Sequence, residues 1–97
     1  MNASQVQARK AALLVQEQGN PPAQWWMSFC DPDKPKGQRF IGVVVVEAPG
    51  FAHAHQKTWA LGVNPGGEVQ GAQIEGFPAE YLDKLLSRVE LEEAGLL

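Results

Sequence analysis

The clearest pattern in the chain is an alternation. Trp25, Met27 and Phe29 fall on one side of an extended segment and Trp26, Ser28 and Cys30 on the other, the period-two signature of a strand. A loop of turn formers follows, Asp31-Pro32-Asp33-Lys34-Pro35-Lys36-Gly37. Arg39 to Glu47 then carries consecutive valines from Val43 to Val46. A β-branched run without a polar position predicts a strand buried on both faces, hence a central one, paired antiparallel with the first as a long-looped hairpin.

Helical spacing takes over after Ala48-Pro49-Gly50. Pro49 suits a first helical turn, Phe51, Ala54, Thr58 and Leu61 share a face that can meet the sheet, and Gly62 supplies a left-handed stop. Asn64-Pro65-Gly66-Gly67 is a tight turn, and Val69 to Ile74 alternates weakly as a third strand with a bulge expected at Gly71. Pro78 opens a last helix with Leu82, Leu85, Leu86 and Val89 as its buried stripe. Ser87 and Glu90 have the spacing of a capping box that restarts the chain as a short separate helix, ended by Gly95. At the other end, residues 3–18 are good helix formers with a weak apolar stripe, ending at Gly19-Asn20 and stopped by Pro21-Pro22.

The expected architecture is therefore α+β: a small three-stranded sheet in α-β-β-α-β-α order with helices packed on one face. Residues 1–22 form an N-terminal helical arm and residues 23–97 a single domain. The link from the valine strand through the helix to the third strand is long enough for a right-handed crossover. So small a sheet leaves edges that invite pairing between copies, which predicts a homo-oligomer.

Composition narrows the function. Ninety-seven residues make one domain with one core. The net charge of −3 and the scatter of the eight basic residues argue against a generic nucleic-acid binder. Cys30 is the single cysteine, so no internal disulfide forms, which suits a reducing compartment. The N-terminal residues lack a signal-peptide pattern, and the longest apolar run, Ile41 to Val46, is too short to cross a bilayer. The expected location is the cytoplasm, with no membrane partner.

Few residues offer chemistry. Gly66 and Gly67 permit positive φ, and successive amides in such a turn can form a nest for an anion; the competing reading is a loop that needs glycine for its geometry. Of the adjacent Trp25 and Trp26, one belongs to the core and the other, Trp26, faces a ligand, an interface or a covering element. Trp59 lies off the stripe of its helix and is a second candidate for exposure. Arg39 and Arg88 are the preferred partners for phosphate, since a guanidinium reads it in bidentate fashion. Glu68, just after the glycine turn, can orient a ligand hydroxyl. His53 and His55 sit two apart on a helix, a spacing that cannot share one metal ion, and read as a solvated pair. Cys30 with a histidine lacks any local signature of a thiol nucleophile, so no metal, cofactor or catalytic set is expected.

Ser28-Phe29-x-Asp31-Pro32, Phe40-Ile41-Gly42-Val43 with Val46-Glu47-Ala48, and Leu61-Gly62-x-Asn64-Pro65-Gly66-Gly67-Glu68-Val69 together resemble a family of small phage and prophage proteins. The likeness spans about residues 25–90 and includes the Leu-Ser-Arg-x-Glu-Leu ending at Leu86 to Leu91. It implies a mobile-element setting in a host cytoplasm, where such proteins block a partner or sequester a defence signal. Two functions follow as expectations. The first is a non-enzymatic, oligomeric binder of a small anionic, nucleotide-like ligand, using Trp26, Arg39, Trp59, Asn64, Gly66, Gly67, Glu68 and Arg88. The second is an inhibitor or adaptor that holds a host protein through an exposed tryptophan or a sheet edge.

Overall fold

The computed structural model describes residues 3–97. They form α1 (Ala3–Glu17), β1 (Ala23–Cys30), β2 (Phe40–Ala48), α2 (Phe51–Ala60), β3 (Glu68–Ile74), a 3-10 turn (Ala79–Tyr81) and α3 (Arg88–Glu93). This is the α+β class and the α-β-β-α-β-α order that the pattern predicts. β1 and β2 make the antiparallel hairpin, from Ala23 opposite Ala48 to Phe29 opposite Gly42, with an irregularity between Phe29 and Cys30.

The strand order is β2-β1-β3, which makes β1 the central strand and puts the valine strand β2 at one side. β3 pairs antiparallel with β1 from Gln24 opposite Ile74 to Cys30 opposite Glu68. β2 and β3 therefore run parallel with β1 between them, and α2 connects them, a split βαβ arrangement. The register is unbroken at Gly71, so the expected bulge does not form there. Glycine is needed at that position for another reason: a Cβ would run into the Phe51 ring and approach the Met27 Sδ at 3.2 Å.

The four valines of β2 are at most 1 % exposed although the strand lies outside β1. Val44 and Val46 pack with Met27, Phe29 and Ala54 beneath α2. Val43 and Val45 pack on the opposite face with Phe77, Leu86 and Leu91. The outer edge of β2 is also covered. The Val43 and Leu86 amides donate to each other's carbonyls at 2.9 and 2.8 Å, and the Asp83 N–H donates to the Val45 carbonyl at 2.9 Å. Asp83 itself has φ 63°, a left-handed conformation that aspartate tolerates better than most residues. Residue periodicity reports which faces are buried, and those are the same for a central strand and for a side strand covered by irregular chain.

The helices consequently lie on both faces of the sheet rather than one, with α2 and its neighbour α1 on the first and α3 on the second. The C-terminal region also departs from the single helix expected from Pro78. Only one 3-10 turn forms, Leu82 to Leu86 runs irregularly along β2, and α3 begins after Ser87. Leu86 is buried as expected, but Leu85 and Val89 of the predicted stripe are exposed, and Leu91 anchors α3 instead. Leu61 at the end of α2 is exposed too, whereas Ala54 and Thr58 are fully buried. The helix ends follow expectation. Gly62 and Gly95 both have φ 72°, and Ser87 and Glu90 form a reciprocal capping box.

Candidate functional site

The expected site residues fall into three separate places. The first is the turn after α2. The Asn64 side chain is occupied within the fold: its Oδ1 accepts from the Gly66 N–H at 2.7 Å, and its Nδ2 donates to the Thr58 Oγ1 at 2.9 Å. Thr58, fully buried, donates its own hydroxyl hydrogen bond to the His55 carbonyl at 2.6 Å. Gly66 and Gly67 have φ of 83° and 81°, and Gly67 packs against the Cys30 carbonyl so closely that a Cβ would overlap it. An Asx turn spending its amide on an internal acceptor is a brace between α2 and the end of β1. Glu68 follows it at the exposed start of β3. Arg39 stands at the same end of the sheet, its carbonyl accepting from the Asp31 N–H at 2.7 Å. Its Nε donates to the Lys34 carbonyl at 2.9 Å, closing the hairpin loop.

The second place is the groove between α1 and α2, about 450 Å³, with Trp59 at its rim. Trp59 is 59 % exposed, as its position off the stripe predicts. His55 stacks on Phe51 at 23° between planes, and burial, helped by the charge of Lys10, holds its imidazole below its ordinary pKa. His53 is not solvated as expected. Its Nδ1 lies 2.9 Å from the Glu17 Oε1, and the same carboxylate accepts from the Ala52 and His53 amides at 3.0 Å each. Gly50, at the N-cap of α2, offers no side-chain cap. Glu17 therefore caps α2 from another helix, meeting the amides an N-cap side chain would meet.

Burial alone would raise the Glu17 pKa, but the hydrogen bonds from His53 and Ala52 and the His53 charge hold it below the ordinary value of 4.5. A depressed folded-state pKa means that the stabilisation is complete above the unfolded value and is lost as pH falls through the folded one. Thermal unfolding should thus show an acid-dependent loss beginning below about pH 4.5. Glu17→Gln should remove the part of that loss due to the clamp and lower stability by about 1 kcal/mol at neutral pH. Superimposable pH profiles for the two proteins would refute the clamp.

The third place unites two of the expected residues. Trp26, on the sheet face opposite α2, and Arg88, at the start of α3, line one hollow of about 380 Å³. Ser28 and Val43 complete its sheet floor, and Phe40 and Leu97 its apolar rim. Trp26 is fixed by an edge-on contact with Phe77, ring centres 6.2 Å apart. Trp25 faces the other way, bonded through its indole N–H to the Ala48 carbonyl. Arg88 is exposed and its Nε donates to Glu92 at 3.0 Å, a pair one helical turn apart. Among the described residues, its two terminal NH₂ groups, the Ser28 hydroxyl and the Trp26 indole N–H make no hydrogen bond. The hollow thus offers an aromatic surface beside unspent donors and one exposed cation, a combination suited to a ring bearing an anionic group.

The sequence named Trp26 and Arg88 but not their neighbours. Ser28 was legible from its place on the same face of the alternating strand; Phe40 and Leu97 carry no local signal, because only the covering of β2 brings them to the hollow. Among the described residues no group of three or more His, Cys, Asp and Glu side chains is placed to hold a metal ion, and no helix is long and apolar enough to cross a membrane. The chain matches no family model, no curated protein and no solved structure.

Proposed function

We propose that the protein is a non-enzymatic binder of a small anionic ligand that carries an aromatic ring, a nucleotide being the type case, and that the ligand sits in the hollow over Trp26. The observation that supports this reading is the meeting of Trp26 and Arg88, remote in sequence, around one concave surface of suitable volume. Binding is preferred to catalysis because the lining supplies an aromatic, a hydroxyl and a guanidinium but no carboxylate, imidazole or thiol to act as acid, base or nucleophile. The glycine turn, Arg39, Glu68 and Trp59 take no part, since they lie elsewhere.

A thermal-shift screen with linear and cyclic nucleotides tests the proposal. A ligand at a hundred times its dissociation constant should stabilise the fold by about 2.7 kcal/mol, a rise of several degrees in midpoint. Arg88→Ala should remove most of that response while leaving the unliganded midpoint nearly unchanged, because the exposed pair with Glu92 contributes little. No response to any nucleotide, or one that Arg88→Ala leaves intact, would defeat the reading. The exposed Trp59 favours a second function, capture of a protein partner in the groove between α1 and α2, with the indole as anchor. Loss of partner capture on Trp59→Ala, with nucleotide response intact, would identify that function.

A further inference from the structure

The two sides of the sheet are treated differently by the chain. The outer edge of β2 is sealed by backbone hydrogen bonds from Asp83 and Leu86. β3, on the other side, pairs with β1 alone among the described residues. Its sequence, Glu68-Val-Gln-Gly-Ala-Gln-Ile74, carries one charge, at its first residue, and otherwise lacks the features that keep an edge from pairing: it has no proline, no lysine or arginine, and no bulge in its register. Gln70, Gly71, Ala72 and Gln73 are all exposed, so among the described residues no other element screens the edge.

We infer that β3 is an interface, and that its occupant is the β3 of a second copy of this chain. The strand is self-complementary in the antiparallel sense. Centred on Gly71, it sets Glu68 against Ile74, Val69 against Gln73 and Gln70 against Ala72, with Gly71 facing its own counterpart. The single charge within the strand therefore meets an apolar residue, and the two copies of Glu68 lie at opposite ends. No like charges oppose each other at the centre, although the whole chain is acidic. Pairing in this way yields a continuous sheet in the order β2-β1-β3-β3-β1-β2, with both outermost edges already sealed. The assembly closes at two copies, because in each copy the middle of the outer β2 edge, at Val43 and Val45, is already bonded to residues 83–86.

An antiparallel strand pair of this kind has its two-fold axis perpendicular to the sheet. Both hollows consequently open on the same face. Their Trp26 residues stand on strands three spacings apart, about 14 Å at the usual strand separation. The pairing itself does not depend on what the hollows bind.

Sedimentation velocity over a wide concentration range, without ligand, tests the interface. The unmodified chain should move from 10.6 kDa towards twice that mass as concentration rises. Gln70→Lys places two ammonium groups diagonally across the axis and should weaken association at least tenfold. Gln73→Lys, on the opposite face and away from the hollow, should weaken it in the same direction. Both side chains are exposed, so circular dichroism and the thermal midpoint of the monomer should be nearly unchanged. Hydrogen exchange should show β3 amides gaining protection with concentration in the unmodified chain only. A chain that stays at 10.6 kDa throughout would overturn the inference, as would a dimer that neither lysine weakens but Trp59→Ala does. Arg88→Ala, which tests the ligand, should leave the dimer intact, so failure of one proposal is distinguishable from failure of the other.

Discussion

Alanine at Gly67 is expected to destabilise the domain by roughly 2–5 kcal/mol, against about 1–2 kcal/mol for alanine at Gly66. Both residues have positive φ, and that conformational term is common to the two substitutions. The difference lies in what a Cβ would meet. At Gly66 there is open space, whereas at Gly67 the new atom would collide with the Cys30 carbonyl oxygen and press on the Ile41 side chain. A backbone carbonyl in the central strand cannot move aside as the tip of a flexible side chain can. Urea unfolding of the two variants would measure the gap through their midpoints. Equal losses would mean that the turn does not brace α2 against β1. Nucleotide response should survive in Gly66→Ala, because the turn lies apart from the hollow.

Leu91→Ala should cost about 2–5 kcal/mol, the range for removing a fully buried leucine side chain. Its reach extends beyond the cavity it leaves. Leu91 packs with Val43, Val45, Phe77 and Leu86, so it helps hold the segment that seals β2. The Val43 amide, which donates to the Leu86 carbonyl, should exchange with solvent faster in the variant by more than the amides at the β1–β3 pairing. Arg88 and Leu97 flank Leu91 in sequence and line the hollow, so ligand response should fall as well. A stability loss below about 1 kcal/mol with Val43 still protected would show that the seal does not rely on Leu91.

What the sequence revealed follows from the range over which each signal acts. The alternation of Trp25, Met27 and Phe29, the stop at Gly62 and the capping box of Ser87 and Glu90 are local, and each stands where the pattern put it. The side position of β2 was not legible. Four valines announce burial but do not say whether a neighbouring strand or a loop supplies it. Likewise Leu82, Leu85, Leu86 and Val89 fit a helical stripe, yet tertiary pairing with β2 wins over that spacing and straightens the chain before Ser87. Glu17 as the cap of α2 was hidden for the same reason: its partners, Ala52 and His53, lie far along the chain. Trp26 and Arg88 were legible as residue types; their meeting depends on α3 crossing to the second face.

The sealing of β2 also bears on the order in which the chain acquires structure. The hairpin of β1 and β2 is the first sheet element to become complete as the chain lengthens from its N-terminus. At that stage both of its outer edges are bare, and four valines stand in one of them. One edge is closed by residues 68–74 and the other by residues 83–86, so both closures wait for the last third of the sequence. Until then the nascent hairpin is a template for any extended chain it meets. The interval between emergence of Ala48 and emergence of Leu86 is the one in which these edges stand uncovered, and a pause in translation there would lengthen it.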